Sequence, residues 1–310
     1  MTKRLTAYTP STTSPDDTVS FLEVVFKHLP VDGKLNLASD ISDCETDSEL
    51  RQLVTSIETG LLLPMRASGG QSAAITPSPR WGFQDSVENL AAQDFESQTR
   101  HAQQRLRAEC LRRDGGCCIV TGASDYRNPT TPITGELEAA HILPFSLASY
   151  GNEIERTESC QIWTNIFRYF PSLRSRLNFT CVNINDHTNV MMLDAAIHRQ
   201  FGRFALSLAA TSEMNVYTIE TFKGFATIHA HALPVDRRVT LTSHDGRYEL
   251  PSPILLEIHN SISHILHLTG RGEMADKIKE EYDAAPSLAP GGESNVLALL
   301  SVSNLALRAE

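Results

Sequence analysis

Two short stretches constrain this chain more than anything else in it. Leu137-Glu138-Ala139-Ala140-His141-Ile142-Leu143-Pro144 reads as a short apolar strand carrying one histidine. It is ended by a proline that has no backbone N–H to donate. Asn189-Val190-Met191-Met192-Leu193-Asp194-Ala195-Ala196-Ile197-His198-Arg199-Gln200-Phe201 reads as an asparagine opening a helix that carries a second histidine. A fold that uses both stretches must gather strand, turn and helix around two imidazoles and a carboxamide. The rest of the chain is expected to position, cover or regulate that unit.

At 310 residues the chain can hold one large domain, or a modest one with helical flanks. Its 41% hydrophobic and 21% charged content fits a soluble globular protein with some loose segments. No apolar run approaches the roughly 20 residues of a membrane span. The opening Met1-Thr2-Lys3-Arg4-Leu5-Thr6 lacks a secretory apolar core, which predicts an intracellular protein, nuclear or cytoplasmic. The six cysteines form no C-x-x-C pair, so free thiols in a reducing compartment are expected rather than a structural zinc site. The formal net charge of −10 argues against a nucleic-acid binder, but its distribution matters more than its sum. Arg100, Arg105, Arg107, Arg112 and Arg113 stand against one acid, Glu109, which leaves local room for nucleic acid.

The chain order predicts an α+β protein. Residues 1–15 are Thr/Ser/Pro-rich and read as disordered. Residues 16–63 form a helical N-terminal region, with helices from Asp16 or Asp17 to Leu29 and from Asp47 to Leu63. These helices suit self-association or a protein partner. Residues 64–85 read as a linker, apart from Trp81 and Phe83, which could dock on the adjoining core domain. Residues 86–210 form that core domain: a leading helix to Asp114, a hairpin of Cys117–Gly122 with Leu137–Leu143, an insertion at about 145–185, and a helix over Val190–Phe201. Residues 211–285 add short strands at 216–219, 225–229 and 238–242, then helices over Pro253–His267 and Met274–Ala285. Residues 286–310 read as a flexible tail.

The residue types in the two key stretches suit phosphodiester hydrolysis. That reaction needs a water deprotonated near neutral pH and a cation to stabilise the charged transition state. A neutral imidazole, with an unperturbed pKa near 6.5, suits the first task. Magnesium suits the second, because it keeps several waters and needs few protein ligands. An asparagine can ligate such an ion through its side-chain oxygen, or hold the catalytic imidazole from behind.

The stretches resemble the HNH endonucleases, in particular the branch common in fungal proteins. The matching residues are Cys118, Thr121 and Gly122; then Glu138, Ala139, Ala140, His141, Ile142 and Pro144; then Asn189, Leu193, His198 and Phe201. The resemblance covers about residues 108–208. It implies the ββα-metal fold, two strands and a helix holding a divalent cation against the scissile phosphate. It implies His141 as general base, Asn189 as the residue that orients the base or touches the metal, and His198 as a metal ligand. Two positions depart from the fullest family pattern: Ala140, where many members carry a ligand just before the base, and Gly202, where some place a further histidine. Glu138 and Asp194 are the carboxylates placed to supplement the metal shell, with His187 on the loop side. Arg199 and Arg203 are candidates to reach a phosphate, although a solvated helix face accounts for each as well. The implied cofactor is Mg2+ or Mn2+, with Zn2+ third, and the implied partner is nucleic acid, DNA before RNA. The competing expectation, motivated by Ala140, Gly202 and the acidic charge, is an HNH-type fold that binds nucleic acid or protein without cutting.

Overall fold

The computed structural model describes residues 1–12, 15–66, 75–93 and 101–273. The helix expected over Met274–Ala285, the tail, the middle of the linker and part of the leading helix lie outside the described residues.

Along the chain come α1 (Thr2–Thr6), α2 (Thr18–His28), α3 (Val31–Asp43) and α4 (Asp47–Ile57), the last running through a π-helical turn into α5 (Leu63–Arg66). Next are α6 (Phe83–Ala91), α7 (His101–Arg113), β1 (Ser124–Asp125), β2 (Thr134–Gly135) and β3 (Leu137–His141). They are succeeded by α8 (Glu153–Tyr169), α9 (Ser172–Ser175), β4 (Val190–Asp194) and α10 (Ala195–Gly202). The last elements are β5 (Leu206–Ala210), β6 (Val216–Thr221), β7 (Arg238–Thr240) and α11 (Pro253–Leu268). The mixture is α+β, as expected. No helix among the described residues is long and apolar enough to cross a membrane.

The chain divides into two compact units: residues 1–95, 150–175 and 264 onward, and residues 96–149 with 176–263. In the first, α2 buries Phe21, Leu22 and Val25, one stripe at helical spacing. A full capping box, Thr46 with Glu49, starts α4. Two sequence expectations change here. The first residues form α1 rather than a disordered tail. The stretch after Pro30 is helix α3, which the sequence hid behind Gly33 and several acids. Gly33 is there for close packing: a Cβ on it would lie 2.0 Å from the Tyr169 carbonyl oxygen at the end of α8. Helix α8, read as part of an insertion in the core domain, clusters with this N-terminal unit.

The second unit contains the two key stretches, and their pairing differs from the sequence expectation. Residues 117–122 are a tight loop, not a strand: Cys118 N–H donates to Ala123 O at 2.8 Å and Gly122, at φ +72°, closes the turn. The partner of β3 is β4, antiparallel, with His141 opposite Val190 and Leu137 opposite Asp194. The helix expected from Val190 therefore begins only at Ala195. The reason is packing. Val190, Met191, Met192 and Leu193 are all fully buried, and four consecutive residues cannot share one helical face, whereas a strand covered on both sides buries them all. Asp194 accepts the Ala196 N–H at 3.0 Å and so caps α10.

The outer edge of β4 is closed by the end of α7. Arg113, completely buried, points all five of its N–H donors at acceptors. Nε and one Nη bind both oxygens of Asp114, at 2.7 and 3.0 Å, and the others reach the carbonyls of His187, Val190 and Glu249 at 2.7–2.9 Å. Asp114 also accepts the Met192 N–H at 2.9 Å. Arg113 is therefore structural and is removed from the basic stretch that left room for nucleic acid. Elsewhere in this unit β5, β6 and β7 form an antiparallel sheet, while 225–229, expected as a strand, joins a 3₁₀ turn over Thr227–Ala232.

His259 on α11 lies between two aromatic rings, 3.7 Å from the Phe201 centroid and 4.3 Å from that of Phe204. Burial pushes its pKa from 6.5 down to about 3, so it is neutral in the fold.

Two measurements check this packing. Arg113→Met strands a buried Asp114 carboxylate, and urea unfolding should show a loss of about 3–5 kcal/mol; a loss below about 1 kcal/mol would contradict the role given to it. The unfolded chain binds more protons than the folded one between the ordinary His259 pKa and its depressed value, so stability falls as pH drops through that window. Urea midpoints between pH 7 and pH 4 should show a flatter slope in His259→Leu than in the wild type.

Candidate metal-nuclease site

The site grows from the β3–β4–α10 unit. Strand β3 carries Glu138 and His141, and α10, held at the right phase by the Asp194 cap, carries His198 in its second turn. His198 Nδ1–H donates to Glu138 Oε2 at 2.7 Å. This bond fixes the tautomer and leaves the Nε2 lone pair available. Metal-binding histidines are typically supported in this way, with a carboxylate on the other ring nitrogen.

His141 Nε2–H donates to the side-chain oxygen of Asn185 at 3.0 Å, which leaves the lone pair on Nδ1. Phe145 tilts against the ring at 5.9 Å between centroids. The His141 pKa is pushed below 6.5, first by burial and then by the charge of His198, while the Asn185 bond opposes the shift. An imidazole in that state is neutral near pH 7 and able to accept a proton.

Asn189 is not at the ring. It is fully buried, accepts Leu143 N–H at 2.8 Å, and donates to the carbonyls of Leu143 and Ile184 at 3.0 and 2.8 Å. Its main chain takes the Ile142 N–H at 2.8 Å. Asn189 thus staples the residues just after His141 to the loop that carries Asn185. The expected contact of Asn189 with the base or a metal is replaced by this clamp, and Asn185 occupies the place beside the ring. The sequence offered one signal for Asn185, the polar run Asn183-Ile184-Asn185-Asp186 just ahead of the motif asparagine.

The two supplementary carboxylates separate. Glu138 meets His198. Asp194 caps α10 through one oxygen, and the other lies 2.3 Å from where a Cβ on Gly135 would be. Asp194 thus serves as the cap of α10. Ala140 is completely buried, and a Cβ on Gly202 would point into open space. His187 bonds Glu109 at 3.0 Å and stacks on Tyr248, so it belongs to the loop's support. Arg199 is exposed on α10 next to His198.

With this geometry in place, comparison with known families is decisive for the segment. Residues 117–209 match the HNH endonuclease family model. This segment is an HNH domain, and it contains the β3–β4–α10 unit described above. No curated protein and no solved structure matches the chain significantly. HNH nucleases generally use divalent metals, and the side chains present set how such an ion could be held. Among the described residues no group of three or more His, Cys, Asp or Glu side chains converges in a way that could hold an ion. What the HNH segment offers is one supported imidazole nitrogen, on His198. A single imidazole nitrogen would leave the rest of a divalent ion's shell to water and substrate oxygens.

The electrostatic account of His141 can be checked by NMR titration of its ring. Asn185→Ala removes the bond that favours the charged ring, so the His141 pKa should fall further; His198→Ala removes the repulsion that a protonated His198 ring exerts, so it should rise. Shifts of the opposite sign in either variant would reject the arrangement.

Proposed function

We propose that the protein is an endonuclease that hydrolyses phosphodiester bonds in DNA with the help of a divalent ion. The observation that carries this reading is the pairing of a neutral, oriented His141 with the carboxylate-supported His198. His141 Nδ1 takes the proton from the attacking water, with Asn185 holding the ring. Asn189 fixes the backbone around the base, so the ring and the loop behind it stay in register. His198, oriented by Glu138, would hold Mg2+ or Mn2+; the ion supplies charge stabilisation for the phosphoryl transition state and the leaving oxygen. Arg199 is the exposed cation nearest in sequence to His198 and is suited to a flanking phosphate.

A second reading, a nucleic-acid-binding HNH fold that does not cut, is favoured by the buried Ala140 and by the lack of a multi-ligand cluster among the described residues. Plasmid nicking in magnesium or manganese separates the two. Wild type should nick, and His141→Ala should lose about 10²- to 10⁴-fold in rate. Equal rates in the two proteins would sink the nuclease reading, and binding without any metal-dependent nicking would support the second.

A further inference from the structure

The first unit holds an arginine in the opposite state to Arg113. Arg80 is half-buried, its Nε is enclosed, and that nitrogen has no hydrogen-bond partner. No carboxylate among the described residues lies in ion-pair range of it. The acid that feels its charge is Asp40, and Asp40 is already bonded to Arg168 at 2.6 Å and to the Tyr169 hydroxyl at 3.2 Å. Two guanidinium groups thus share the Asp40 carboxylate, with Asp43 acting on Arg168 alone, and Arg80 is the one left without a hydrogen-bonded acid. A partly desolvated cation of this kind is costly unless an anion completes it.

Beside Arg80 stands Trp81, 94% exposed, whereas Trp163 is 2% exposed. The Arg80 guanidinium lies over the Phe83 ring at 5.2 Å. Residues from Pro77 to Asp85 line a concavity of about 340 Å³, near the lower end of small-ligand sites. The segment is held in place rather than loosely attached. Gln52 donates to the Pro77 carbonyl at 3.0 Å, Thr76 N–H donates to the Thr59 hydroxyl at 3.0 Å, and Gly82 turns the chain at φ +71°. Gly82 brings no capping side chain to the start of α6, and Asp85 is the acid among the lining residues.

We propose that Pro77–Asp85 is a contact site for single-stranded nucleic acid, with Arg80 taking a backbone phosphate and Trp81 stacking on the adjoining base. A guanidinium matches phosphate geometry, and an exposed indole accepts any base on its face. The choice of nucleic acid over another polyanion rests on the nuclease reading of the HNH segment; the unpaired charge and exposed indole do not.

The full chain reports on this site through its own fluorescence. Titration with a ten-nucleotide oligothymidylate should quench the solvent-exposed emission of Trp81 and leave that of buried Trp163. Trp81→Leu, a change at an exposed position, should abolish the quench. Arg80→Gln should weaken binding about tenfold and reduce the salt dependence by roughly the 0.7 log unit expected for one phosphate on a single strand. Absence of quenching, or an unchanged salt slope in Arg80→Gln, overturns the proposal. Equal affinity for polyglutamate overturns it in favour of an acidic-protein site, and equal affinity for inorganic phosphate overturns it in favour of a free-anion site. The same titration on His141→Ala keeps the outcomes apart: quenching should persist there whether or not the wild type nicks DNA.

Discussion

The second unit depends on the burial of Arg113. A guanidinium taken out of water costs far more than one surface ion pair returns, and it is tolerable only when every donor is met. Here five donors find two carboxylate oxygens and three main-chain carbonyls, and Asp114 takes an additional amide from β4. One side chain therefore joins the end of α7, the loop before β4, β4 itself and the residues around Glu249. The strand that faces His141 is fixed on one edge by β3 and on the other by this cluster. Moving either edge would leave buried polar groups without partners, so the position of the site is set by the arginine's own requirements.

Two asparagines divide work that the motif assigns to one. Asn189, at the family position, is buried among main-chain partners and acts on the path of the backbone. Asn185, on the loop which that clamp secures, meets the imidazole. The division has a physical logic. A carboxamide that satisfies three backbone groups is rigid but has no freedom to follow a ring, whereas one that meets the ring needs support from elsewhere.

Much of the unit was legible in the sequence. The β3 strand, its histidine, the proline that ends it and the histidine of α10 can all be read from local pattern and motif, and residues 117–209 are of HNH type. The failures have identifiable causes. Val190–Leu193 looked helical because an apolar run that precedes a helix resembles its first turn. Burial on both faces, which is not a local property, decides for a strand, and the Asp194 cap starts the helix only after it. Helix α3 was hidden because Gly33 weakens helix propensity, and its reason for being there, the close approach of Tyr169, lies far along the chain. Arg113 looked like one more exposed cation, since its five acceptors are main-chain or neighbouring groups that composition cannot reveal. Asn185 carries no spacing rule that separates it from Asn183.

The antiparallel pairing of β3 with β4 has a consequence for how such a chain can change over time. His141 and Val190 are neighbours across the ladder, yet the whole of α8 and α9 lies between them in sequence. Loop closure grows only logarithmically with length, so each doubling of the connection costs about 0.6 kcal/mol. A pair of strands welded by side-chain clamps such as Asn189 and Arg113 can bear that cost easily. The gap between the two halves of the β3–β4–α10 unit is therefore a permissive point, where a chain can acquire a helix that serves another body while the register of the histidines stays unchanged.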